Sequence, residues 1–378
     1  MSHFLIFYTF VYGGMNAYIV WRVRQAFLNR RTFIYPFALL CGCMVFGPIL
    51  VRLFWGTAPG IGIHLFSLFA FTWAAWIFWF FCTVFLLDVW NTAQTRLGKN
   101  KFIVSPRRKI SVAVCLILVA SCWGIIEARH LHLHTYHIQL DHLPSGTPPI
   151  RLLQFSDLHL TRLIGEQRLE QIVQFAKDTH PDLIVSTGDC IDNRLEDLTD
   201  AAAKFAALQP PLGKYAVFGN HEFYMTAHES QRFHEAAGFR VLHAESVKVS
   251  DHLRIAGVDD PAARYASLPG DQVSSDEDAA LTRHHYPEAV ILLKHRPNVD
   301  SGSRGLFDLQ LSGHAHGGQI FPFGLFVRLQ YHWTNGLHKL KGNWLYINQG
   351  AGTWGPPFRV FAPPEVALFI LEPAIPKN

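Results

Sequence analysis

Hydrophobic and polar positions divide this chain into two unlike parts. Up to about residue 127 it is almost continuously apolar, in four runs: Phe4–Trp21, Ile34–Trp55, Ile63–Trp90 and Ile110–Ile126. A helix needs roughly 20 apolar residues to cross the hydrocarbon core of a bilayer. The pattern therefore predicts an all-α membrane region of four transmembrane helices over residues 1–127. Beyond it the pattern changes to short apolar stretches alternating with amphipathic ones. Residues 128–149 read as a linker with a leading strand. In that stretch His130, His132, His134 and His137 alternate with Leu131, Leu133 and Tyr136, the two-residue period of a half-buried strand. Residues 150–378 read as one α/β domain.

Within that domain strands are expected at Leu152–Phe155, Asp182–Ser186, Tyr215–Phe218, Leu253–Val258, Val290–Leu293, Leu306–Leu311, Trp344–Ile347 and Val366–Leu371. Helices are expected at Glu166–Asp178, Leu195–Leu208 and Ala227–Ala237. Alternating units of this kind imply sheets buried between layers of helices.

Charge adds an orientation to the apolar part. The first loop holds Arg22, Arg24, Arg30 and Arg31, and the third holds Arg96, Lys99, Lys101, Arg107, Arg108 and Lys109. The second, around Gly56–Gly60, holds no Lys or Arg. Positive loops stay cytoplasmic, so the N-terminus and everything after Ile126 are expected outside the cell membrane. Trp21, Trp55 and Trp90 stand at run ends, where an amphipathic ring suits the headgroup layer. The first run lacks the basic n-region of a signal peptide, since no Lys or Arg precedes Arg22. Arg52 and Asp88 lie inside apolar runs but near their ends, within snorkelling reach of the interface.

Chemistry-bearing residues gather where the expected strands end. The first strand runs into Asp157-Leu158-His159, the second into Gly188-Asp189, and the third into Gly219-Asn220-His221-Glu222. The fourth element is His295, and the fifth is Gly313-His314-Ala315-His316. Side chains at i and i+2 of an extended segment point the same way, so each Asp-x-His or His-x-His pair can reach one ion. Ligands of open α/β sheets lie beyond the carboxyl ends of the strands, where one cleft can collect all five elements. The donors are O and N only, a set suited to Mn²⁺, Fe or Zn²⁺.

This ordered set, with Asp192 three residues after Asp189, resembles the calcineurin-like metallophosphoesterase superfamily. The resemblance covers roughly residues 150–372. Ser156-Asp157-Leu158-His159, Gly257-Val258-Asp259-Asp260-Pro261 and His316-Gly317-Gly318-Gln319 resemble its membrane-associated bacterial branch and vertebrate relatives that carry a transmembrane region. The resemblance implies an αββα sandwich and hydrolysis of phosphoesters at two divalent metal ions. It implies that Asp157, His159, Asp189 and His316 hold one ion, and that Asp189, Asn220, His295 and His314 hold the other, with Asp189 shared. It implies that His221 faces the leaving-group oxygen as a catalytic residue and that Asp192 fixes its tautomer; a helix N-cap is the other reading of Asp192. Glu222 departs from the Asp that often follows the Gly-Asn-His motif. The bacterial branch is similar to enzymes acting on a phospholipid or a nucleotide-linked lipid.

Composition narrows the alternatives. The formal charge of +4 is small for 378 residues, and the basic excess sits beside the apolar runs. No nucleic-acid footprint follows from it, and no obligate protein partner is inferred. Five of the six cysteines lie in the apolar third, which is not a disulfide framework. Cys190, beside Asp189, reads as a packed side chain or a redox group. Two further segments bear on the substrate: a polar insert at 262–288, and an aromatic stretch at 320–343 with Arg328, Lys339 and Lys341. The aromatic stretch could line an acyl cleft, meet a membrane, or form a packed hairpin. The leading function is a membrane-anchored hydrolase of a phosphoester substrate; the alternatives are a non-catalytic membrane sensor with a phosphoesterase-like binding domain and a transporter with an appended domain.

Overall fold

The computed structural model describes residues 2–28, 30–54, 61–161, 165–192, 198–224, 226–265, 275–281 and 287–374. Trp55, the second loop at 56–60, the start of the helix expected at Leu195, and most of the 262–288 insert lie outside the described residues. The chain forms two compact units, one over residues 1–125 with 355–357, the other over 126–354 with 358–378.

The first unit is helical: α1 (Ser2–Ala26), α2 (Arg31–Val45), α3 (Gly47–Phe54), α4 (Ile61–Arg96) and α5 (Pro106–Glu127). Among the described residues, α4 and α5 are long and apolar enough to cross a membrane, and α2 with α3 make a third candidate if the bent pair is one span. The expected second crossing is thus broken, with a bend of 40° between its halves. Pro48 is the cause: it has no N–H for the Met44 carbonyl, and its ring crowds that carbonyl. Asp88 is ion-paired. It lies among Arg22, Lys109 (2.5 Å) and Tyr18, within the helical unit.

The second unit carries two six-stranded sheets. In chain order its elements are β1 (His132–Leu140), β2 (Ile150–Phe155), α6 (Glu166–Thr179), β3 (Leu183–Ser186), α7 (Thr199–Ala206), β4 (Lys214–Ala216), α8 (Asn220–Tyr224), α9 (Ala227–Ala236), β5 (Arg240–Val241) and β6 (Glu245–Lys248). They continue with β7 (Leu253–Val258), α10 (Glu277–Leu281), β8 (Ala289–Lys294), β9 (Leu309–Ser312), α11 (Gly324–Gln330), β10 (Gly336–Lys339), β11 (Trp344–Ile347) and β12 (Glu365–Pro373). One sheet has the order β1-β12-β2-β3-β4-β5, the other β10-β11-β9-β8-β7-β6.

The period of two in strands builds the layers. On β2, Leu152 points between the sheets, where it joins Val185, Val217, Ile255, Ile291, Leu311 and Phe369. Its neighbour Leu153 points outward, into a core shared with Leu169 and Ile172 of α6, Phe205 of α7 and Phe233 of α9. A smaller core covers the other sheet's outer face, through Val258, Leu292, Ala280 and Leu281. Strands covered on both faces read as unbroken apolar runs, as β3 and β8 do. The result is a sandwich of two sheets between layers of helices.

The leading strand β1 is an edge strand, parallel to β12. His132, His134 and His137 lie within 3.7 Å of Glu127, Glu365 and Glu372 respectively. The alternating histidines are thus the outward positions of an edge strand, each beside a carboxylate. The 320–343 stretch is not a plain hairpin: it opens with the helix α11.

Candidate metal centre

Strands β2, β3, β4, β8 and β9 are linked by parallel pairing within each sheet, so their carboxyl ends share one rim. The loops leaving that rim are laced together. The Asp157 N–H donates to the Gly188 carbonyl (3.0 Å), His159 N–H to Asp189 (3.0 Å), and Gly313 N–H to His295 (2.8 Å). Gly188, at φ 93°, has no room for a side chain: a Cβ there would stand 2.5 Å from the Gly219 nitrogen and 2.8 Å from His295 Nδ1.

Nine non-glycine residues among those described have positive φ, and five of them are Asp157, His159, Asp189, His314 and His316. Left-handed backbone at such residues costs about 1–3 kcal/mol each and persists where surroundings over-determine it. The strain marks these turns as built to aim side chains inward.

The side chains converge. His316 Nε2 lies 3.2 Å from Asp157 Oδ1 and 3.2 Å from His159 Nε2. His295 Nε2 lies 3.2 Å from Asp189 Oδ2 and 3.1 Å from His314 Nδ1. Asp189 Oδ2 is also 3.9 Å from His159 Nε2, which puts this carboxylate between the two clusters. Three groups have ligand atoms within 4.8 Å of one another: Asp157, His159 and His316; Asp189, His295 and His314; and His159, Asp189 and His221. The third adds His221, which sequence reasoning kept apart from the ions. Asn220 Oδ1 is buried with no hydrogen-bond donor.

These residues fit a pair of cations. Two imidazole nitrogens facing each other at about 3 Å share at most one proton between them, and each cluster contains such a pair beside a buried carboxylate. The orphaned Asn220 oxygen adds a neutral donor of the kind a hard cation takes.

Electrostatics point the same way. Burial opposes charge on Asp157 and Asp189, yet the surrounding histidines hold both carboxyls below their ordinary range. Burial lowers His314 to about 3 and His316 to about 4, so both offer lone pairs at neutral pH. For His295 the Asp189 carboxylate outweighs burial and raises it to about 10; for His221, Asp192 and Asp189 raise it to about 9. Buried carboxylates demand positive charge here, the demand that divalent cations meet.

Asp192 accepts from His221 Nδ1 (2.7 Å) and lies 3.2 Å from His159 Nδ1. One carboxylate thus steadies two rings, where the sequence had assigned it only His221.

The sequence alone leaves the role of Glu222 open. It is fully buried, and its carboxylate accepts from the backbone N–H of Cys190 (2.7 Å), Gly219 (2.8 Å) and Asp189 (2.9 Å). It ties the Gly-Asp turn to the Gly-Asn-His turn. Ser156 Oγ donates to Asp157 Oδ2 (2.5 Å), and His295 Nδ1 donates to the Thr187 carbonyl (2.8 Å), which leaves Nε2 facing Asp189. Arg359, buried outside every motif, donates to the carbonyls of Gly350, Gly352 and Ala362 beneath His316. No spacing signal could have found it. Cys190 is buried in the outer core, and its thiol pKa is pushed well up by that burial, which makes it a packing residue.

The family model for calcineurin-like phosphoesterases matches residues 150–318. An uncharacterized metallophosphoesterase of Aquifex aeolicus is 36% identical over 259 residues, 68% of this chain and 98% of the relative. The chain belongs to the calcineurin-like phosphoesterases. Within the family it is also similar to two proteins named transmembrane protein with metallophosphoesterase domain. That of Danio rerio is 28% identical over 76% of this chain and 67% of its own length. That of Bos taurus is 29% identical over 82% of this chain and 75% of its own length. Residues 126–378 make up about two-thirds of the chain, so a match over 82% reaches into the apolar helices. The transmembrane-named relatives and the apolar helices α4 and α5 together suggest association with a membrane.

Proposed function

We propose that this chain is a membrane-anchored, binuclear metal-dependent phosphoesterase that hydrolyses phosphate mono- or diester or pyrophosphate bonds of a lipid-linked substrate. The observation that carries the reading is the placement of Asp189 between two carboxylate–histidine clusters. In this reading Asp157, His159, Asp189 and His316 hold one ion, and Asp189, Asn220, His295 and His314 the other. The ions are Mn²⁺, Zn²⁺ or Fe, which when bound acidify water and neutralise phosphoryl charge.

The chain's own residues do the rest. Asp192 accepts a hydrogen bond from His221 Nδ1–H, so Nε2 is the ring atom presented to the substrate. Held by Asp192, His221 is the residue placed to deliver a proton to the leaving oxygen. Glu222 keeps the turns that bear Asp189 and Asn220 at fixed separation, so neither donor reorganises during the reaction.

In the proposed arrangement the apolar runs cross the cell membrane four times, the two basic loops face the cytoplasm, and the catalytic domain lies on the extracytoplasmic side. Tethering at a bilayer raises the effective concentration of an amphipathic substrate, which favours a phospholipid or a nucleotide-linked lipid over a soluble ester.

The test is hydrolysis by the purified full-length chain, loaded with Mn²⁺, of an activated aryl phosphate and of matched soluble and lipid-linked phosphoesters. Turnover that disappears in Asp189→Asn and His221→Ala, with both variants folded, supports the reading. A metal-loaded, folded wild type that turns over none of these esters overturns it in favour of a binding module.

A further inference from the structure

The calcineurin-like site uses the rim through His316. The segment beyond that residue supplies none of the candidate metal ligands and is unusual in two ways. First, it is apolar where it is exposed. Phe321, Phe323, Leu325, Phe326 and Leu329 are 53, 45, 57, 54 and 85% exposed, and Phe361, ring-to-ring with Phe321 at 5.7 Å, is 76% exposed. On α11 itself Val327 packs against the core with Ala315, Leu345 and Ile347, while its neighbours face outward. A soluble surface scatters large apolar residues singly; this one gathers six in one short excursion.

Second, residues 309–364 contain no Asp or Glu at all. Next to α11 lies a cleft of about 520 Å³, whose lining includes Arg304, Lys339 and Lys341 together with Gln330, Tyr331 and Trp333. The three cations are exposed. The Lys339 ammonium lies over the Trp344 ring, 4.9 Å from its centroid, and this cation–π contact holds it beside the cleft it lines.

The excursion is fastened to the metal centre. Gly318 has φ 83°, and a Cβ there would collide with the backbone of Gly324, so the start of α11 rests directly on the turn after His316. Tyr331, just past α11, stands edge-on to His314 at 5.7 Å.

We propose that residues 320–343 with Phe361 form a docking surface for a bilayer rich in anionic phospholipid. The apolar residues of α11 enter the acyl boundary and the Arg304–Lys339–Lys341 cleft takes phosphate headgroups. Apolar side chains bordered by cations are the composition an anionic interface binds, and an acid-free stretch of this length avoids repulsion from it. The inference rests on the membrane-anchored reading, since α5 ends at Glu127 and only residues 128–131 precede β1. Docking would set the mouth of the metal centre at the lipid headgroup level.

The test uses the full-length chain in nanodiscs, with its native cysteines replaced by Ala and a single NBD-labelled cysteine at Leu329→Cys or, as a control on α6, at Lys177→Cys. Discs contain either phosphatidylcholine alone or a mixture with phosphatidylglycerol, and carry doxyl-labelled acyl chains as quencher. Docking predicts a blue-shifted NBD emission quenched by doxyl lipid at 329 and neither effect at 177. The quenching is stronger in the anionic discs and weakens roughly fivefold per cation removed in Arg304→Gln, Lys339→Gln and Lys341→Gln. Equal signals at the two positions, no quenching at 329, or cross-linking of position 329 to a second copy would overturn the proposal. Aryl phosphate hydrolysis is read on the same samples. Retained turnover without quenching at 329 refutes docking alone, and quenching without turnover in the wild type refutes the phosphoesterase reading alone.

Discussion

Replacing Glu222 by Gln isolates the clamp beneath the metal centre. The wild-type carboxylate accepts four backbone N–H bonds, two at Oε1 from Cys190 and, longer at 3.5 Å, Ile191, and two at Oε2 from Asp189 and Gly219. Gln keeps the shape but turns one acceptor into an N–H₂ group. In the better of its two orientations the amide nitrogen faces Cys190 and Ile191, so the short Cys190 bond and the long, weak Ile191 bond are lost and the two at the other oxygen lose charge assistance. An orphaned buried donor costs about 1–3 kcal/mol. The loss of charge from the remaining two adds about 1 kcal/mol each, since charged hydrogen bonds are about twice as strong as neutral ones. The total is about 3–5 kcal/mol, which lowers the melting temperature of a domain this size by roughly 10 °C. Since the clamp spaces Asp189 and Asn220, turnover should fall by about 10–100-fold even well below the melting point. Differential scanning fluorimetry and aryl phosphate hydrolysis read the two effects. A variant that melts within about 2 °C of wild type, by the scale above, and keeps full turnover would refute the clamp.

Asp192→Asn loosens both His221 and His159, so kcat should drop by about 10²–10³-fold, with a smaller loss of metal affinity seen by equilibrium dialysis. His234 is buried among Phe218, Phe233 and Phe239, and its burial lowers the pKa to about 4. Its Nδ1 meets the Ser230 carbonyl. Between pH 6.5 and 4 the unfolded chain binds a proton there that the folded chain refuses, so stability falls as pH drops through that window, by up to about 3 kcal/mol. Denaturant midpoints of His234→Phe should lose this part of the acid sensitivity and match wild type in slope above about pH 7. Asp88→Leu strands Arg22 and Lys109 without their carboxylate, and the melting temperature in detergent should fall.

Much of this architecture is legible in the chain because its periods are unmixed. The unbroken apolar runs of β3 and β8 and the amphipathic run of α6 are each flanked by polar loops, and their boundaries fall within a residue or two of expectation. The five motifs are legible because each follows a strand, and parallel strands bring their carboxyl ends together whatever the loops contain. Three things were hidden. The 40° bend at Phe46 follows from Pro48, whereas Pro36 in the same run lies in the first turns of α2 without ending it, and the run itself does not tell the two apart. Short edge elements such as β5 and β6, of two and four residues, carry too few positions to show a period. Glu222, Thr187 and Arg359 act through backbone groups, and a backbone partner leaves no mark in sequence. Asp192 was found through the resemblance, but its second ring, His159, needed coordinates.

Metal stoichiometry decides whether Asp189 is shared between two ions. The full-length chain, stripped by chelator and reloaded with Mn²⁺ or Zn²⁺, should bind two ions per chain by elemental analysis and regain hydrolysis in proportion to occupancy, while Asp189→Asn should retain fewer than one and none of the turnover. Binding of a single ion, or occupancy unchanged by Asp189→Asn, would contradict a shared carboxylate at the centre of the site.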